Sequence, residues 1–290
     1  MKNVKFILSV LLIAFGALGA MAGEDPNPDE IIVYKETEQG KLSLHLFYPE
    51  GHQRTDKLPV IVLFHGGGWN GGTPKMFYQQ CAYLASRGIV AITAQYRLKK
   101  KNETTPIECV KDGKSAIRWI RKNADTIGVD PDKIIAGGGS AGGHVAAAKG
   151  TATSFEEETD DKTVSYCPQA LILFNPVYDN SETGYGHSKV KAYWKEISPM
   201  HNLTEKTPPT LVMLGTEDAL IPVATAQEYK RQMEALGIRS ELVLYAGEPH
   251  GFFNYSKNKK MYQETIEEAA RFLTSLGYLE PIEKQDSGAK

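Results

Sequence analysis

The chain has 290 residues, of which 41% are hydrophobic, and it carries 33 basic and 35 acidic side chains. A chain of this length and composition can bury a full-sized core, so its fold does not depend on metal or disulfide staples. The near balance of charge argues against a nucleic-acid partner, and we expect the one basic cluster, "LKKK" at residues 98–101, in a solvated loop.

The N-terminus has the pattern of an export signal. Lys2 and Lys5 form a positively charged start, an apolar run follows as far as Leu18, and "AMA" ends at Ala22 as a small-residue cleavage site. The apolar run is short for a membrane span. We therefore predict a signal peptide over residues 1–22, cut after Ala22. The mature protein is then expected in the periplasm or outside the cell, with no membrane association after cleavage.

Eight segments have the patterns of β-strands. Two early ones begin near Ile31 and Lys41, and the second alternates apolar and polar residues, which suits an antiparallel edge with one wet face. Six later runs are almost wholly apolar, as in parallel strands covered by helices on both faces. These runs span residues 58–64, 88–96, 133–138, 169–177, 209–216 and 241–247.

Helical patterns alternate with these strands. The clearest runs from Pro106 towards Ile127, with apolar residues spaced for one buried stripe. A second starts at Pro222, a residue that is favoured in a first helical turn, and two more precede Gly88 and follow Met261. The alternation predicts an α/β fold: a mostly parallel central sheet with helices on both faces. Ligands are then expected at the carboxyl ends of the strands.

The rest of the chain fits one folded unit. We predict a single domain over residues 23–280, with small polar insertions at about 151–163 and 179–207, and a flexible tail at 281–290. The cysteines are odd in number and widely spaced, so they predict neither a disulfide framework nor a close-spaced metal motif. They are Cys81, Cys109 and Cys167. Whether any two of them pair is left open, as is the oligomeric state.

The stretch "KIIAGGGSAGGHVAAAKG", at residues 133–150, places five glycines around Ser140 between a strand and a helix. This is the G-x-S-x-G nucleophile elbow in the context it requires, because a sharp strand-to-helix turn leaves little room for side chains. The turn exposes the serine oxygen beside the first helical amides, that of Ala141 above all. The competing interpretation, a phosphate-binding loop, lacks both the P-loop lysine and the dinucleotide glycine spacing.

A second glycine cluster, "HGGGWNGG", begins at His65 directly after a predicted strand. A turn with so little side-chain bulk can point successive amides at an oxyanion. With both clusters in place, the chain resembles an α/β-hydrolase, similar to the hormone-sensitive-lipase-like carboxylesterases and to secreted bacterial carbohydrate esterases. The motifs "HGGGW", "AQYRL", "GGGSAGGH", "LGTEDALIP" and "PHGFF" occur in the family's order and cover essentially the whole mature chain.

The resemblance carries expectations for fold and function. It implies the α/β-hydrolase fold with small cap insertions, and oxyanion-hole donors at Gly66, Gly67 and Ala141. It also implies hydrolysis of acetyl or feruloyl esters on plant polysaccharide such as xylan, with no cofactor and no metal. Arg97 and Asp112 resemble structural positions of the family, and we expect them to brace the fold through an ion pair.

A serine hydroxyl needs a base, and His250 is the best placed of the seven histidines. It follows the last predicted strand in "GEPHGFF", and the chain order Ser–Asp–His requires an acid between Ser140 and His250. Asp218 in "LGTEDALIP" is the leading candidate for this acid, since it follows the strand that ends near residue 215. Asp179, which follows an earlier strand, and the adjacent Glu217 remain alternatives.

Substrate recognition is less clearly marked. Trp69 and Tyr185 are candidates for stacking against a sugar or an aromatic acyl group, and the competing interpretation is that most aromatic residues here only pack the insertion. The other aromatic residues considered for such a rim are Tyr178, Tyr193 and Trp194. Rival functions on the same fold are a peptidase, a formamidase and a catalytically silent binding protein. The partner that we expect is a small ester or an acylated polysaccharide.

Overall fold

The computed structural model describes residues 26–152 and 154–281. The predicted signal peptide and all but the first residue of the predicted tail lie outside these ranges, so both stay predictions. Eight strands build one sheet within the described chain. They are β1 (Glu30–Thr37), β2 (Gly40–Phe47), β3 (Leu58–Phe64), β4 (Val90–Ala94), β5 (Val129–Gly139), β6 (Ala170–Phe174), β7 (Thr210–Gly215) and β8 (Ser240–Tyr245).

The sheet has the order β1-β2-β4-β3-β5-β6-β7-β8. β1 pairs with β2, and β2 with β4, in antiparallel fashion, whereas every other neighbouring pair is parallel. The prediction of a mostly parallel sheet is thus confirmed. β5 begins at Val129, earlier than the predicted Lys133, and Val129 pairs with Leu58 before the register shifts. Asp130, Pro131 and Asp132 interrupt the apolar pattern, so the sequence did not indicate that the strand begins at Val129.

Helices cover the sheet, and those predicted from periodicity are present. The helices are α1 (Tyr78–Ser86), α2 (Lys99–Asn102), α3 (Pro106–Lys122), α4 (Ala124–Ile127), α5 (Ala141–Thr151), α6 (His187–Val190), α7 (Trp194–Ile197), α8 (Val223–Ala235) and α9 (Lys259–Ser275). Helix α3 begins with a capping box between Thr105 and Glu108 and with Pro106 in its first turn, which explains its sharp start.

Two hydrophobic cores lie on opposite faces of the sheet, and β3 contributes to both. Val60, Val62 and Phe64 belong to the core that includes residues of α3, α5 and α8. Ile61 and Leu63 belong to the core that includes residues of α1 and α9. Because successive side chains of a strand point to opposite faces, an unbroken apolar run is what a doubly covered strand requires.

The polar segments are more ordered than the sequence suggested. The insertion at 179–207 contains α6, α7 and a 3-10 turn at Pro199–Asn202, and the segment 98–101 lies largely in α2. The expectation of a loop at residues 98–101 is therefore wrong, and the second insertion holds short helices that the sequence did not indicate. Each helix has only four residues, too few to show a helical period, and such helices depend on the surfaces they pack against.

A buried ion network links the sheet edge to α3. Arg97 donates to Asp112 from Nε at 2.9 Å and from Nη2 at 2.7 Å, and the Asp112 side chain is fully buried. Lys35 of β1 donates to Asp112 Oδ1 and to Glu157 Oε2, both at 2.7 Å. The expected Arg97–Asp112 ion pair is confirmed, and it also fixes the first insertion through Glu157.

The described residues contain no disulfide, since all three cysteines are free. Cys81 and Cys109 are buried, and Cys167 is exposed. Across 26–152 and 154–281, no helix has the length and apolar character needed to cross a bilayer.

Candidate active site

Ser140 occupies the turn between β5 and α5 with φ 54° and ψ −121°. This backbone conformation is strained for a residue with a side chain, and such strain is common at functional positions. Two neighbouring segments hold it: Ser140 N donates to Phe174 O at 3.0 Å, and Val177 N donates to Ser140 O at 3.1 Å. The serine is therefore fixed at the carboxyl edge of the sheet.

The glycines beside Ser140 allow α5 to approach β3 directly. A Cβ atom on Gly138 would lie 2.5 Å from Phe64 O, and one on Gly142 would overlap the backbone carbonyls of Phe64 and His65. Side chains at these two positions would therefore push the helix off the strand. This close approach answers why the sequence places glycines around the serine.

Three side chains from separate loops form a hydrogen-bonded chain. His250 Nε2 lies 2.9 Å from Ser140 Oγ, and His250 Nδ1 lies 2.7 Å from Asp218 Oδ2. The loops that carry Ser140, Asp218 and His250 follow β5, β7 and β8, whose carboxyl ends share one edge of the sheet. Contact with the carboxylate puts the Nδ1 proton on the imidazole, which leaves Nε2 able to accept the serine proton.

The structure separates the three acids that the sequence left open. The Asp218 side chain is fully buried, and its Oδ1 accepts hydrogen bonds from the amides of Leu220 at 2.8 Å and Ile221 at 3.0 Å. Asp179 instead accepts from Ser181 N and lies 4.0 Å from His201. Glu217 is exposed. Of these three acids, only Asp218 contacts His250 among the described residues.

The glycine-rich loop after β3 reaches the nucleophile. A Cβ atom on Gly66 would lie 3.4 Å from the Cβ of Ser140, so the two residues are in contact. Gly67 has φ +124°, a conformation that favours glycine, and its carbonyl accepts from Asn70 N at 3.0 Å. Ala141 is the first residue of α5, so its amide has no acceptor within the helix. Gly66 and Gly67 also line the cavity over Ser140, so their amides and that of Ala141 stay the candidate oxyanion donors.

Two buried histidines shape the surrounding loops. Burial lowers the pKa of His65 to about 4 and that of His144 to about 3. His65 Nδ1 donates to Gly66 O at 2.8 Å, and His144 Nε2 donates to Ile197 O at 3.0 Å. Both rings are neutral at pH 7, and both hold backbone carbonyls.

Trp69 requires a correction. We expected its ring to stack against the substrate, but only 2% of the residue is exposed. Its Nε1 donates to His144 Nδ1 at 3.3 Å, and the two rings meet edge to face at 5.1 Å. The ring therefore anchors the glycine-rich loop after β3 (residues 65–72, the oxyanion loop) to His144 of α5. A neighbouring glycine cluster in the sequence does not indicate whether a tryptophan points outwards or inwards.

Tyr185 lies closer to the expected place, because it is partly exposed and lines the cavity above Ser140. The other aromatic candidates pack instead. Tyr178 is buried and stacks on Tyr229 at 4.8 Å. Tyr193 contacts the ring of Phe155 in the first insertion, and Trp194 contacts that of His201 in the second. The alternative interpretation, in which most of these residues pack the insertion, describes them correctly.

The cavity over Ser140 has a volume of about 680 Å³. Met76, Leu220 and Phe253 give it apolar surface, and Asn175 gives it a buried polar group. Asn175 was not predicted from the sequence. Its Oδ1 accepts a hydrogen bond from Gly251 N at 2.9 Å, which holds the residue next to His250. A polar residue directly after an apolar strand, in "LILFNPV", was the available signal.

Residues 26–152 and 154–281 contain no group of three or more His, Cys, Asp or Glu side chains that could hold a metal ion. The arrangement combines a nucleophile with a base and its carboxylate, beside a glycine-rich loop whose amides are candidate oxyanion donors. This set suits acyl transfer through a covalent intermediate.

Comparisons with known proteins agree with this geometry. Residues 44–181 match the BD-FAE family. The structure of a thermophilic esterase from Thermogutta terrifontis with propionate bound superimposes with a TM-score of 0.84 at 39% identity, covering 90% of this chain and 98% of that one. The same esterase phosphorylated by paraoxon gives a TM-score of 0.84 at 39% identity, over 89% and 98% of the two chains.

The sheet, the elbow and these likenesses together define an α/β-hydrolase. The chain belongs to this family, among its serine carboxylesterases. A more distant relative is the acetylxylan esterase of Xylanibacter ruminicola, 25% identical over 267 residues, which are 87% of this chain and 51% of that protein. The chain spans about half to two thirds of the length of the first curated relatives it matches.

Proposed function

We propose that this protein hydrolyses short-chain acyl esters, acetyl esters first, through an acyl-enzyme on Ser140. The observation that carries the proposal is the continuous set of hydrogen bonds from Asp218 through His250 to Ser140, beneath the glycine-rich loop. An intact set of this kind argues against a catalytically silent binding protein, which has no use for a strained nucleophile.

In the acylation step, Ser140 Oγ attacks the ester carbonyl carbon while His250 Nε2 takes the hydroxyl proton. The carbonyl oxygen becomes an oxyanion, which accepts hydrogen bonds from the amides of Gly66, Gly67 and Ala141. The tetrahedral intermediate then expels the alcohol, which leaves with the proton held by His250. Asp218 stabilises the imidazolium that exists between these two transfers.

In the deacylation step, water replaces the alcohol. His250 takes a proton from the water, the hydroxide adds to the acyl carbon, and a second oxyanion forms in the same place. Its collapse releases the carboxylic acid, and the proton returns to Ser140 Oγ. The cycle therefore consumes one ester and one water, produces one acid and one alcohol, and needs no cofactor.

The preference for short acyl groups is supported by the site and by its solved relatives. The Thermogutta terrifontis esterase has been solved with propionate and with butyrate. The cavity of this chain is about 680 Å³ and combines apolar side chains with a polar glycine loop. Sites of this size hold small or medium ligands. We therefore place acetyl to butyryl esters ahead of long-chain lipids.

We further propose that the natural alcohol is part of a plant polysaccharide such as xylan, and that the acyl group is acetyl or feruloyl. The acetylxylan esterase among the relatives supports the first of these, at 25% identity. Export fits a polymeric substrate, and the predicted signal peptide supports a periplasmic or extracellular location. Cell fractionation with antibody detection would test this location.

The experiment that tests the function uses the mature chain on matched substrates. The 4-nitrophenyl acetate, butyrate and octanoate series measures acyl length, and acetylated and feruloylated xylan measure acetate and ferulate release. We expect turnover to fall from butyrate to octanoate, and acid release from at least one polymer. Cleavage of an acyl-peptide anilide at rates above those of the esters would favour the peptidase alternative and contradict this proposal.

A further inference from the structure

The cavity over Ser140 has an unbalanced charge. Among the described residues that line it, three are lysines and none is an aspartate or glutamate. The lysines are Lys75, Lys189 and Lys257, and all three are exposed. None of them forms an ion pair within the described chain, although the enzyme as a whole carries slightly more acidic than basic residues. The positive charge on the lining is therefore local, since the carboxylate of Asp218, which contacts His250, is fully buried and is not part of the lining.

Two of these ammonium groups lie beside the reacting centre. Lys189 Nζ donates to Gly68 O at 3.1 Å and lies 5.5 Å from the centre of the Trp69 ring. This contact holds the charge on the oxyanion loop. Lys257 Nζ lies 3.4 Å from the carbonyl of His250, so a second charge borders the loop of the histidine. A substrate bound at Ser140 meets positive charge from both loops.

A second cavity, of about 550 Å³, borders the same glycine-rich loop. The two share Gly68, Asn70 and Lys189, and the second adds Lys99 and again contains no acidic residue among its described lining. Helix α2 is fixed there, because Lys99 N donates to Trp69 O at 3.0 Å. Lys99 of the "LKKK" segment therefore lines a cavity that shares Lys189 with the cavity over Ser140.

From this arrangement we infer that the preferred substrate is an ester that also carries a carboxylate group, which lies against Lys189 with Lys99 or Lys257. An acylated sugar that contains a uronic acid has this chemistry, and so does the monoester of a dicarboxylic acid. Uncompensated charge around a cleft raises the local concentration of oppositely charged ligands and speeds their association. The inference rests on the proposed esterase function and adds the substrate class.

The test compares kcat/KM for matched anionic and neutral esters at low salt. One pair places the carboxylate on the alcohol: acetylated methyl glucuronoside against acetylated methyl glucoside. The other places it on the acyl group: 4-nitrophenyl hemiglutarate against 4-nitrophenyl valerate. We expect the anionic member to be favoured about 10-fold in at least one pair, and the favoured pair identifies the source of the carboxylate. Salt at about 1 M should abolish the preference, since the Debye length is then about 3 Å.

Substitutions then assign the preference. Lys189→Gln should lower the anionic-to-neutral ratio about two- to five-fold, the range for an exposed ion pair. Lys206→Gln removes the same charge from an exposed position that borders neither cavity, and it should leave the ratio unchanged.

Two results would overturn the inference: ratios at or below one in both pairs, or a wild-type preference that survives in Lys189→Gln and in a Lys99→Gln/Lys189→Gln/Lys257→Gln triple variant. Turnover of neutral 4-nitrophenyl acetate by wild-type protein reports separately on the proposed function. If that turnover persists while the charge preference is absent, the esterase proposal stands and the substrate class fails.

Discussion

Ser140 Oγ lies 2.9 Å from His250 Nε2, although 110 residues separate the two along the chain. The contact exists because β5 and β8 belong to one parallel segment of the sheet, so the loops that follow them emerge at the same edge. Asp218 reaches the same point from the loop after β7, the strand next to β8. The fold thus brings together a hydroxyl, an imidazole and a carboxylate that lie far apart in the sequence.

Replacing Asp218 with asparagine should lower kcat by about 10⁴ with little change in structure. The asparagine oxygen would keep the hydrogen bonds from the Leu220 and Ile221 amides, so its NH2 group would donate to His250 Nδ1. This holds His250 in the wrong tautomer, and the neutral amide does not stabilise the imidazolium. Steady-state kinetics on 4-nitrophenyl acetate measure the effect. Asp179→Asn is the matched control and should retain activity, because Asp179 contacts Ser181 and does not contact His250. Equal losses in the two variants would contradict the assignment of the acid.

Asn175 is a positioning residue, and Asn175→Ala should lower kcat about 5- to 10-fold. The change removes the acceptor for Gly251 N, so the segment next to His250 loses one hydrogen bond, a contribution of about 1 kcal/mol. Asn175→Asp retains an oxygen acceptor and should recover part of the loss. A thermal melt of each variant shows whether a change in kcat comes from lost stability. An Asn175→Ala protein whose kcat matches that of the wild type would show that this contact does not orient His250.

Asp112→Ala should destabilise the protein by about 3–5 kcal/mol, because the buried charges of Arg97 and Lys35 would keep only the partly exposed Glu157 as an acidic partner. Urea unfolding followed by circular dichroism gives the free energy. Asp125→Ala removes an exposed ion pair with Lys57 and should cost less than about 1 kcal/mol. Similar values for the two substitutions would mean that the buried network is not what fixes the sheet edge.

The free energy of unfolding should decrease as the pH drops from about 6.5 towards 4, so the protein should become less stable. The pKa of His65 is about 4 and that of His144 about 3 in the folded state, both below the ordinary 6.5, so the unfolded chain binds more protons in this window. Each histidine then costs about 2 kcal/mol at pH 5. Burial alone would raise the pKa of Glu157, but Lys35 and Arg97 lower it to about 2, so its contribution is lost only below about 4.5.

Urea titrations at pH 7 and pH 5 measure this difference. In the variant His65→Asn, the amide can still donate to the Gly66 carbonyl, but one titrating group is gone. The loss of stability between the two pH values should therefore be smaller in this variant. A free energy of unfolding that is the same at pH 7 and pH 5 in the wild type would contradict the account of neutral buried histidines.

The strands and helices that could be predicted are those that show a continuous pattern in the local sequence. β3, β6 and β7 were recognisable because strands covered on both faces must be apolar throughout, and α3 because its caps and stripe agree. Helices α6 and α7 were missed, since four residues show no period. The inward orientation of Trp69 was missed because it depends on His144, which is 75 residues away.

The most direct test of the central claim is covalent labelling with a fluorophosphonate, followed by peptide mapping and mass spectrometry. If Ser140 is the nucleophile, the wild-type protein should acquire one adduct, on the peptide that contains Ser140, and lose its esterase activity in proportion. Ser140→Ala should acquire no adduct and lose about 10⁶ in kcat, as when the nucleophile of a serine protease is removed. An adduct on another residue, or ester turnover that survives in Ser140→Ala, would contradict the account.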